Sequence, residues 1–294
     1  MTHQEIKKLA LKHELSIQEI LKTNEMGIDF KIGFAQDLKN KQWVLRIPRR
    51  SDMYDQIQKE KRILDLVKSH LSIEVPNWLI ATNELVAYPL LQNNPVLTYD
   101  AQTYEVTWFM DQTSPHYIPS LASILVDLHA IPLEEIEHHQ LEVKSPEAIR
   151  LEINNQFQRV SSEIGIAKNL ATRYQRWLDN DLLWPTFSKF IHGDLYAGHV
   201  MSSKDGHISG IIDWSTAHMG DSAMDFSGHL NVFSMESLKD LLKAYEELGG
   251  QTWDGMFDQI VERAAASPLA YGSFALETQD EQHLQAAKNL LNQS

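Results

Sequence analysis

The sequence predicts an α+β fold of two lobes: a small antiparallel sheet with one main helix over residues 1–90, and a larger, mostly helical part over residues 91–294. Short β-prone segments separated by polar turns occupy most of the first part. Longer segments with apolar residues at helical spacing occupy the second. One strand–loop–strand segment, 187–214, interrupts those helices. A chain of 294 residues is long enough to bury two such lobes.

The first ninety residues alternate between helical and strand-like patterns. Residues 3–21 carry apolar side chains at roughly helical spacing, with Ser16 as a cap that starts a second helix. The charged amphipathic segment 52–70 predicts the main helix of this lobe. Four short strands joined by polar turns are expected at 28–35, 42–47, 77–81 and 84–88.

Beyond residue 90 the pattern is helical apart from the segment 187–214. Segments 119–130 and 145–178 each predict one helix, and the residues from 224 onwards predict further helices. Within 187–214 the expected order is strand, loop, strand, turn, strand, because Asp205-Gly206 is a typical turn pair.

Composition and charge argue against several classes of protein. The chain has 40 acidic and 26 basic residues and a net charge of -14, which disfavours a nucleic-acid binder. An acidic surface suits a cationic small substrate, and it also suits an ordinary soluble protein. There is no cysteine, no signal-peptide core and no apolar run near the roughly 20 residues that cross a bilayer. We therefore expect a cytoplasmic protein without a membrane partner.

The densest cluster of polar functional residues lies in the strand–loop–strand segment. His192 and Asp194 follow one apolar run, and Asp213 ends a later one, 14 residues after His199. Strand ends that lie side by side would bring Asp194, His199 and Asp213 together. This cluster suits phosphoryl transfer, with Asp194 accepting the proton of an attacking hydroxyl and the other two holding a metal ion. A metal-dependent phosphohydrolase is the rival interpretation, although its His and Asp ligands usually lie on helices.

These residues also match a known family. HGDLYAGHV and GIIDWSTAHMGDSAMDF resemble the aminoglycoside phosphotransferase-like kinases, which are distant relatives of protein kinases. IDFKIGFA, WVLRIPRR and LVDLHAIP are similar to the macrolide 2'-phosphotransferase subgroup. The resemblance spans residues 24–230. It implies a protein-kinase-like fold, with nucleotide bound by the lobe 1–90, the acceptor bound by the lobe 91–294, and ligands between the two.

The resemblance assigns roles to the polar cluster. Asp194 corresponds to the catalytic-loop aspartate, and Asp213 to the metal-binding aspartate of the D-F-G signature. His199 stands where most kinases have a metal-binding asparagine. Imidazole is a poorer ligand than oxygen for Mg²⁺, but macrolide kinases are similar to this sequence in having histidine there. The implied cofactor is Mg²⁺, held by His199 and Asp213.

A purine nucleotide is the second implied cofactor, GTP in the macrolide subgroup, with ATP as the other candidate. Arg46 stands where the phosphate-binding lysine of kinases would be, although Arg49 and Arg50 lie close by in the sequence. Glu60, in the main helix of the first lobe, is its expected partner.

Four more residues are expected to contact the nucleotide. Gly27 and Asp29 belong to a glycine-poor turn that would cover the phosphates with backbone N–H groups. Tyr88 and Leu90 fall at the hinge between the lobes, where backbone groups would bind the purine.

The second lobe contains two further marks of the family. Asp225, four residues after Asp221, is interpreted as an anchor for the catalytic loop and as a cap of the following helix. His129, at a helix end, is assigned to packing or to charge complementarity. The walls of the acceptor pocket are expected among the following large apolar residues: Met110, Met219, Phe233, Met235, Trp253, Met256, Phe257 and Tyr271.

The predicted activity is transfer of the γ-phosphate of a purine nucleotide to the 2'-hydroxyl of a macrolide amino sugar by a monomeric enzyme, which would confer macrolide resistance. Two alternatives stay open. An aminoglycoside or small-metabolite hydroxyl kinase would keep the chemistry and change the acceptor. A nucleotide-binding pseudokinase would explain Arg46, His199 and the poor glycine turn, but the presence of both Asp194 and Asp213 argues against it.

Overall fold

The structure is a computed structural model that describes residues 1–25, 29–100, 103 and 105–292. The chain forms two compact units. The first comprises Met1–Ser114 and Gly198–Thr216, and the second comprises Pro115–Ala197 and Ala217–Ser294.

The described residues form the following helices and strands, given in chain order. The helices are α1 His3–Lys12, α2 Tyr54–His70, α3 Tyr117–His129, α4 Leu133–His138, α5 Pro146–Glu163, α6 Lys168–Asp179, α7 Ala223–Leu230, α8 Met235–Glu247, α9 Met256–Ala265, α10 Ser267–Thr278 and α11 Glu281–Leu291. The strands are β1 Ile17–Asn24, β2 Phe30–Asp37, β3 Gln42–Pro48, β4 Ile80–Ala81, β5 Val86–Pro89, β6 Asn94–Pro95, β7 Leu97–Tyr99, β8 Val106–Trp108, β9 Lys189–Ile191, β10 Val200–Ser202, β11 Ile208–Ile211 and β12 His218–Gly220.

The first unit is built on an antiparallel sheet of five strands in the order β1-β2-β3-β5-β4. Its inner face packs with α1 around Leu45, Ala87 and Ile6, all fully buried. The helix α2 turns its apolar side, including Ile57 and Ile63, into the interior. The expected sheet with one main helix is confirmed.

The sequence interpretation is wrong at residues 17–21, which belong to the strand β1 and not to a second helix that starts at Ser16. Ile17 and Ile20 are buried three residues apart, and this spacing looks helical. The pairing of β1 with β2 shifts register after Ile17 and again after Ile20. Each shift inserts an extra residue, so successive buried side chains no longer alternate with period two.

The same unit also receives a later part of the chain. The strand β10 pairs with both β11 and β6, which forms a three-stranded sheet. The β11 strand also contacts the segment after α2, where the Ile211 N–H donates to the carbonyl of Glu74 at 3.0 Å. The expected strand–turn–strand over 200–211 is confirmed, with Gly206 in a left-handed conformation (φ 92°) at the turn.

The second unit is helical, apart from the ribbon of β9 and β12. The segment 145–178 is two helices, α5 and α6, and not the single helix expected from its periodicity. Gly165 lies just beyond α5 with φ 89°, and its N–H donates to the carbonyl of Val160 at 3.1 Å. This left-handed glycine ends α5 because it turns the backbone away from the helical path.

Within the described residues, no helix is both long enough and apolar enough to cross a membrane.

Candidate active site

The loop His192-Gly193-Asp194 follows β9 in the second unit. β9 pairs with β12, which places Ile191 opposite His218 and holds the start of the loop. His192 is fully buried, whereas Asp194 is exposed. The backbone N–H of Asp194 donates to Nδ1 of His192 at 3.2 Å. The buried histidine therefore supports the turn on which the exposed Asp194 side chain lies.

Asp225, in the first turn of α7, anchors this loop. Its Oδ2 accepts the N–H of His192 and its Oδ1 accepts the N–H of Gly193, both at 2.9 Å. Gly193 has φ 82°, a conformation that glycine adopts without strain. The interpretation of Asp225 as a structural anchor is confirmed. The expectation that it also caps α7 is wrong, because Asp221 accepts the N–H of Ala223 at the start of that helix.

His129 has a stronger role than the sequence suggested. Its Nε2 lies 3.2 Å from Oδ2 of Asp225, and its Nδ1 lies 2.9 Å from the hydroxyl of Tyr245. All three side chains are buried. Burial acts to raise the pKa of Asp225, but the hydrogen bond and charge of His129 outweigh it and hold that pKa below its ordinary value. The periodicity of α3 predicts only that His129 faces the core.

A cavity of about 440 Å³ opens beside Asp194 within the second unit. Two ion pairs lie in its wall: Lys144 Nζ is 2.7 Å from Glu152 Oε2, and Arg263 Nε is 2.7 Å from Asp221 Oδ2. Arg263 is buried, and its Nη2 has no hydrogen-bond partner within the described part of the chain.

The apolar part of this cavity differs from the sequence-based expectation. Its wall includes the following apolar residues: Ile149, Ile153, Trp177, Met224, Val232 and Leu269. None of the eight residues suggested as acceptor walls lines this cavity. Periodicity identifies apolar residues on helix faces, but it does not separate the faces that pack from those that border a cavity.

In the first unit, Arg46 and Glu60 form the expected ion pair. Arg46 Nη1 lies 2.6 Å from Glu60 Oε1, and both side chains are buried. The guanidinium also lies over the rings of Phe30 and Trp78, with its carbon 4.3 Å and 5.2 Å from their centroids. Burial opposes the charge of Arg46, but Glu60 raises its pKa and keeps it charged. Arg46 therefore pairs with α2, as expected.

His199 and Asp213 also come together in the first unit. His199 Nε2 lies 3.6 Å from Asp213 Oδ2, and Asp213 is about half exposed. The carbonyl of His199 accepts the N–H of Ile212 at 3.0 Å, so the two segments are held as neighbours. Asp213 has φ 65°, which is uncommon outside glycine. Trp214, which follows it, is completely buried and donates to the carbonyl of Ile211 at 3.0 Å.

Within this pair the Asp213 carboxylate fits a hard divalent cation, and the His199 imidazole is the weaker ligand. Mg²⁺ binds proteins through one or two carboxylates and completes its shell with water and substrate phosphates. Asp213 supplies such a carboxylate, and it is partly exposed as this arrangement needs. Within the described ranges, no group of three or more His, Asp or Glu side chains forms a self-sufficient metal site. A metal ion here would therefore depend on ligands from a substrate.

Three more of the expected nucleotide contacts, Asp29, Tyr88 and Leu90, lie in the first unit. The fourth, Gly27, lies outside the described residues. Asp29 accepts hydrogen bonds from Arg50 at 2.8 Å and from Gln56 at 3.2 Å. Burial raises the pKa of Glu60, and the charges of Asp213 and Asp29 add to this shift. Glu60 therefore lies close enough to Asp213 and Asp29 for their charges to raise its pKa.

Tyr88 and Leu90 lie at the end of β5 and just after it. Burial raises the pKa of Tyr88 to about 12. The N–H of Leu90 donates to the carbonyl of Gln42 at 3.0 Å, so this donor is used within the first unit.

Residues 21–256 match the phosphotransferase enzyme family (APH). The chain belongs to this family. As a member of the phosphotransferase enzyme family, it is 35% identical over 290 residues to the uncharacterized protein YcbJ of Bacillus subtilis (strain 168), covering 98% of this chain and 95% of YcbJ.

Two solved structures share both sequence and fold with this phosphotransferase. Macrolide 2'-phosphotransferase type I is 36% identical with a TM-score of 0.94, and each chain is covered in full. MphH, a macrolide 2'-phosphotransferase from Brachybacterium faecium, is 37% identical with a TM-score of 0.90 over 99% of each chain. The predicted resemblance to the macrolide 2'-phosphotransferases is confirmed.

A more distant structure, the GDP complex of an aminoglycoside 2'-phosphotransferase-IIIa, is 17% identical with a TM-score of 0.80 over 99% of this chain and 97% of that one. At this identity it shows the fold alone. The predicted kinase-like α+β fold is confirmed, with an antiparallel sheet in the N-terminal part and helices in the C-terminal part.

Proposed function

We propose that this phosphotransferase transfers the γ-phosphate of GTP to the 2'-hydroxyl of a macrolide amino sugar, and that it thereby confers macrolide resistance. The observation that carries the proposal is full-length similarity, at 36% identity and a TM-score of 0.94, to macrolide 2'-phosphotransferase type I. An exposed aspartate on a rigid loop beside a largely apolar cavity supports it. We further propose that the enzyme acts as a monomer in the cytoplasm, where nucleotide is available.

Asp194 is proposed as the group that orients the attacking hydroxyl and accepts its proton. The geometry supports this role because Asp225 and the His192 ring accept the N–H groups of residues 192–194, which fixes the backbone that leads to the exposed carboxylate. A positioned base of this kind typically contributes a factor of about 100 to 10,000 to a rate.

Arg46 is proposed to bind the nucleotide phosphates while Glu60 orients its guanidinium. The ring faces of Phe30 and Trp78 restrict the guanidinium further, so little of its freedom is lost on binding. Asp29 acts through Arg50, because a carboxylate beside a phosphate needs a cation between them. The segment with Gly27 is proposed to cover the phosphates, and Tyr88 and the Leu90 carbonyl to border the purine.

His199 and Asp213 are proposed to hold Mg²⁺. When bound, this ion neutralises charge on the nucleotide phosphates. The chain's own contribution is to keep the Asp213 carboxylate partly exposed, which it does by burying Trp214 and by holding Ile212 against the carbonyl of His199.

The proposed reaction is tested by incubating the purified protein with GTP or ATP and a panel of macrolides and aminoglycosides. We expect a mass increase of one phosphate on macrolides, with a lower KM for GTP than for ATP. Asp194→Asn should lower kcat by about 100-fold or more. Asp205→Asn, at an exposed turn, is the matched control and should retain full activity. Phosphate on aminoglycosides and on no macrolide would overturn the assignment of the acceptor.

A further inference from the structure

The segment that follows α2 is joined through Glu74 to two distant parts of the first unit. The side-chain Oε2 of Glu74 accepts the N–H of Gln92 at 2.9 Å. Its backbone N–H donates to the carbonyl of Ser209 at 2.8 Å, and its carbonyl accepts the N–H of Ile211 at 3.0 Å. Glu74 therefore connects the residues just after β5 to the strand β11, although its own side chain is exposed.

The same three segments pack closely around Gly210 of β11. A Cβ added there would lie 2.8 Å from the carbonyl oxygen of Glu74 and 3.0 Å from Cδ2 of Leu91. Asn93 Nδ2 also donates to Ser209 Oγ at 2.9 Å. Because the nearer of the two obstructing atoms belongs to the backbone, only glycine allows the segments to approach this closely.

The two parts that Glu74 connects lie next to the groups proposed for the two ends of the nucleotide. Leu90, whose carbonyl is proposed to border the purine, is two residues before Gln92. Asp213, a proposed ligand of Mg²⁺, is two residues after Ile211. A nucleotide with its metal ion would engage both parts, so a fixed spacing between them lowers the ordering cost of binding.

We propose that Glu74 is a positioning residue for nucleotide binding, which holds residues 90–92 against β11 at a fixed distance from Asp213. The inference rests on the proposed function, because it requires a nucleotide that engages both the purine segment and a metal ion at Asp213. Glu74 acts through Gln92 and not by contact with the nucleotide. Hydrogen bonds to a charged acceptor are stronger than neutral ones, so the carboxylate suits this role.

The test measures the Kd of GTP for the purified full-length protein by titration calorimetry, once with Mg²⁺ and once with EDTA. Glu74→Ala should raise the Kd about 5-fold or more with Mg²⁺ and less than about 2-fold with EDTA, because only the metal-bound nucleotide engages both parts. Glu74→Gln keeps an oxygen that can accept the N–H of Gln92, so it should restore both values to within about 2-fold of the wild type. The exposed position of Glu74 favours normal folding of both variants.

A second variant tests the same connection from β11. Ser209→Ala removes the bond from Asn93 and should also weaken GTP binding more with Mg²⁺ than with EDTA. The matched control is Glu84→Ala, at an exposed glutamate of the same unit that pairs with Lys12 at 2.6 Å. It should leave both Kd values unchanged.

Equal weakening with Mg²⁺ and with EDTA in Glu74→Ala would overturn the inference, since it would confine the role of Glu74 to the purine segment. Unchanged binding in both conditions would overturn it as well. If the wild type binds neither GTP nor ATP in either condition, the proposed function itself fails, and the first titration shows this before any variant is compared.

Discussion

The buried pair Arg46–Glu60 illustrates how one side-chain choice constrains another. Arg46 lies on β3 between Phe30 and Trp78, in a space that a planar guanidinium fills better than a lysine ammonium. Glu60 is 1% exposed and one of its oxygens, Oε2, has no hydrogen-bond partner within the described residues. The carboxylate therefore depends on Arg46 for compensation of its buried charge.

Arg46→Met should destabilise the protein by about 3–5 kcal/mol, because it removes the cation that compensates the buried Glu60 carboxylate. The double variant Arg46→Met/Glu60→Met should recover most of that stability, since it removes both charges together. Urea unfolding of the two variants and the wild type measures this. Equal losses in the single and double variants would show that ring packing, and not the buried charge, explains the effect. Both variants should lose nucleotide binding.

His229 is a buried titratable residue on α7 of the second unit. Its Nδ1 is buried and has no hydrogen-bond partner among the residues that the structure describes. Its Nε2 lies 2.9 Å from Ser237 Oγ, and its ring stacks on Phe233 with 4.5 Å between the ring centroids. Burial lowers the pKa of His229 from its ordinary value to about 4. The folded state therefore favours the neutral ring.

This depressed pKa predicts an acid-sensitive stability. Between about pH 6.5 and pH 4 the unfolded chain protonates His229 while the folded chain does not, so stability falls as pH falls through that window. Above about pH 7, His229 is neutral in both the folded and the unfolded chain, so it should not contribute to the pH dependence of stability. His229→Gln should flatten the dependence of Tm on pH between 4 and 6.5. An unchanged pH profile in that variant would show that other groups cause the acid sensitivity.

At the scale of elements, the short helix α7 connects several parts of the second unit. Asp221, just before it, pairs with Arg263 and caps its first turn, and Asp225 holds the loop His192-Gly193-Asp194. Gly228, one turn later, is packed so closely that an added Cβ would lie 2.1 Å from the carbonyl oxygen of Leu195. The helix therefore contacts the loop on both sides of Asp194.

Gly228→Ala should push the catalytic loop away from α7, because the obstructing atom belongs to the backbone and cannot rotate aside. A shift near 1 Å at a reacting group typically costs about 100-fold in rate. We expect kcat to fall by that order while KM for the nucleotide changes little. Gly272→Ala is the matched helical control: its Cβ would meet side-chain atoms of Val160 and Leu291, so it should affect stability more than kcat.

The elements also show where sequence patterns were sufficient and where they were not. The strands β2 and β3 were predictable because β-branched and aromatic residues lie between polar turn residues, and the helix α2 because its apolar residues keep a helical period. The strand β1 was not, because its register shifts are set by pairing with β2. Gly165 could have indicated the end of α5. The apolar residues before and after it both keep a helical period, so the sequence predicted one helix over 145–178.

At the scale of the whole molecule, nucleotide binding should stabilise the protein as a direct consequence of the proposed function. A ligand present at 100 times its Kd adds about 2.7 kcal/mol to the free energy of unfolding. We expect GTP with Mg²⁺ to raise Tm by several degrees, and GTP with EDTA to raise it less. Asp213→Asn should remove the difference between the two conditions. Mg²⁺ alone should have little effect, since the described residues do not form a complete metal site.

The sequence by itself determined the fold class and the family, and it placed the residues proposed for catalysis and metal binding close together. It could do so because His192, Asp194, His199 and Asp213 lie within 22 consecutive residues, with a spacing set by local strands and turns. The ion pair of Arg46 with Glu60 was also predictable, from one strand and the helix that follows it.

Only the tertiary structure decided what depends on contacts between distant segments. His129 joins Asp225 across 96 residues, and Arg263 joins Asp221 across 42, and no local pattern specifies either pair. The cavity beside Asp194 is likewise bordered by helices far apart in sequence. Periodicity shows which side of a helix is apolar, but which apolar side is left open for a ligand depends on how the other helices pack. The loop of Asp194 was therefore predictable, and the cavity that it faces was not.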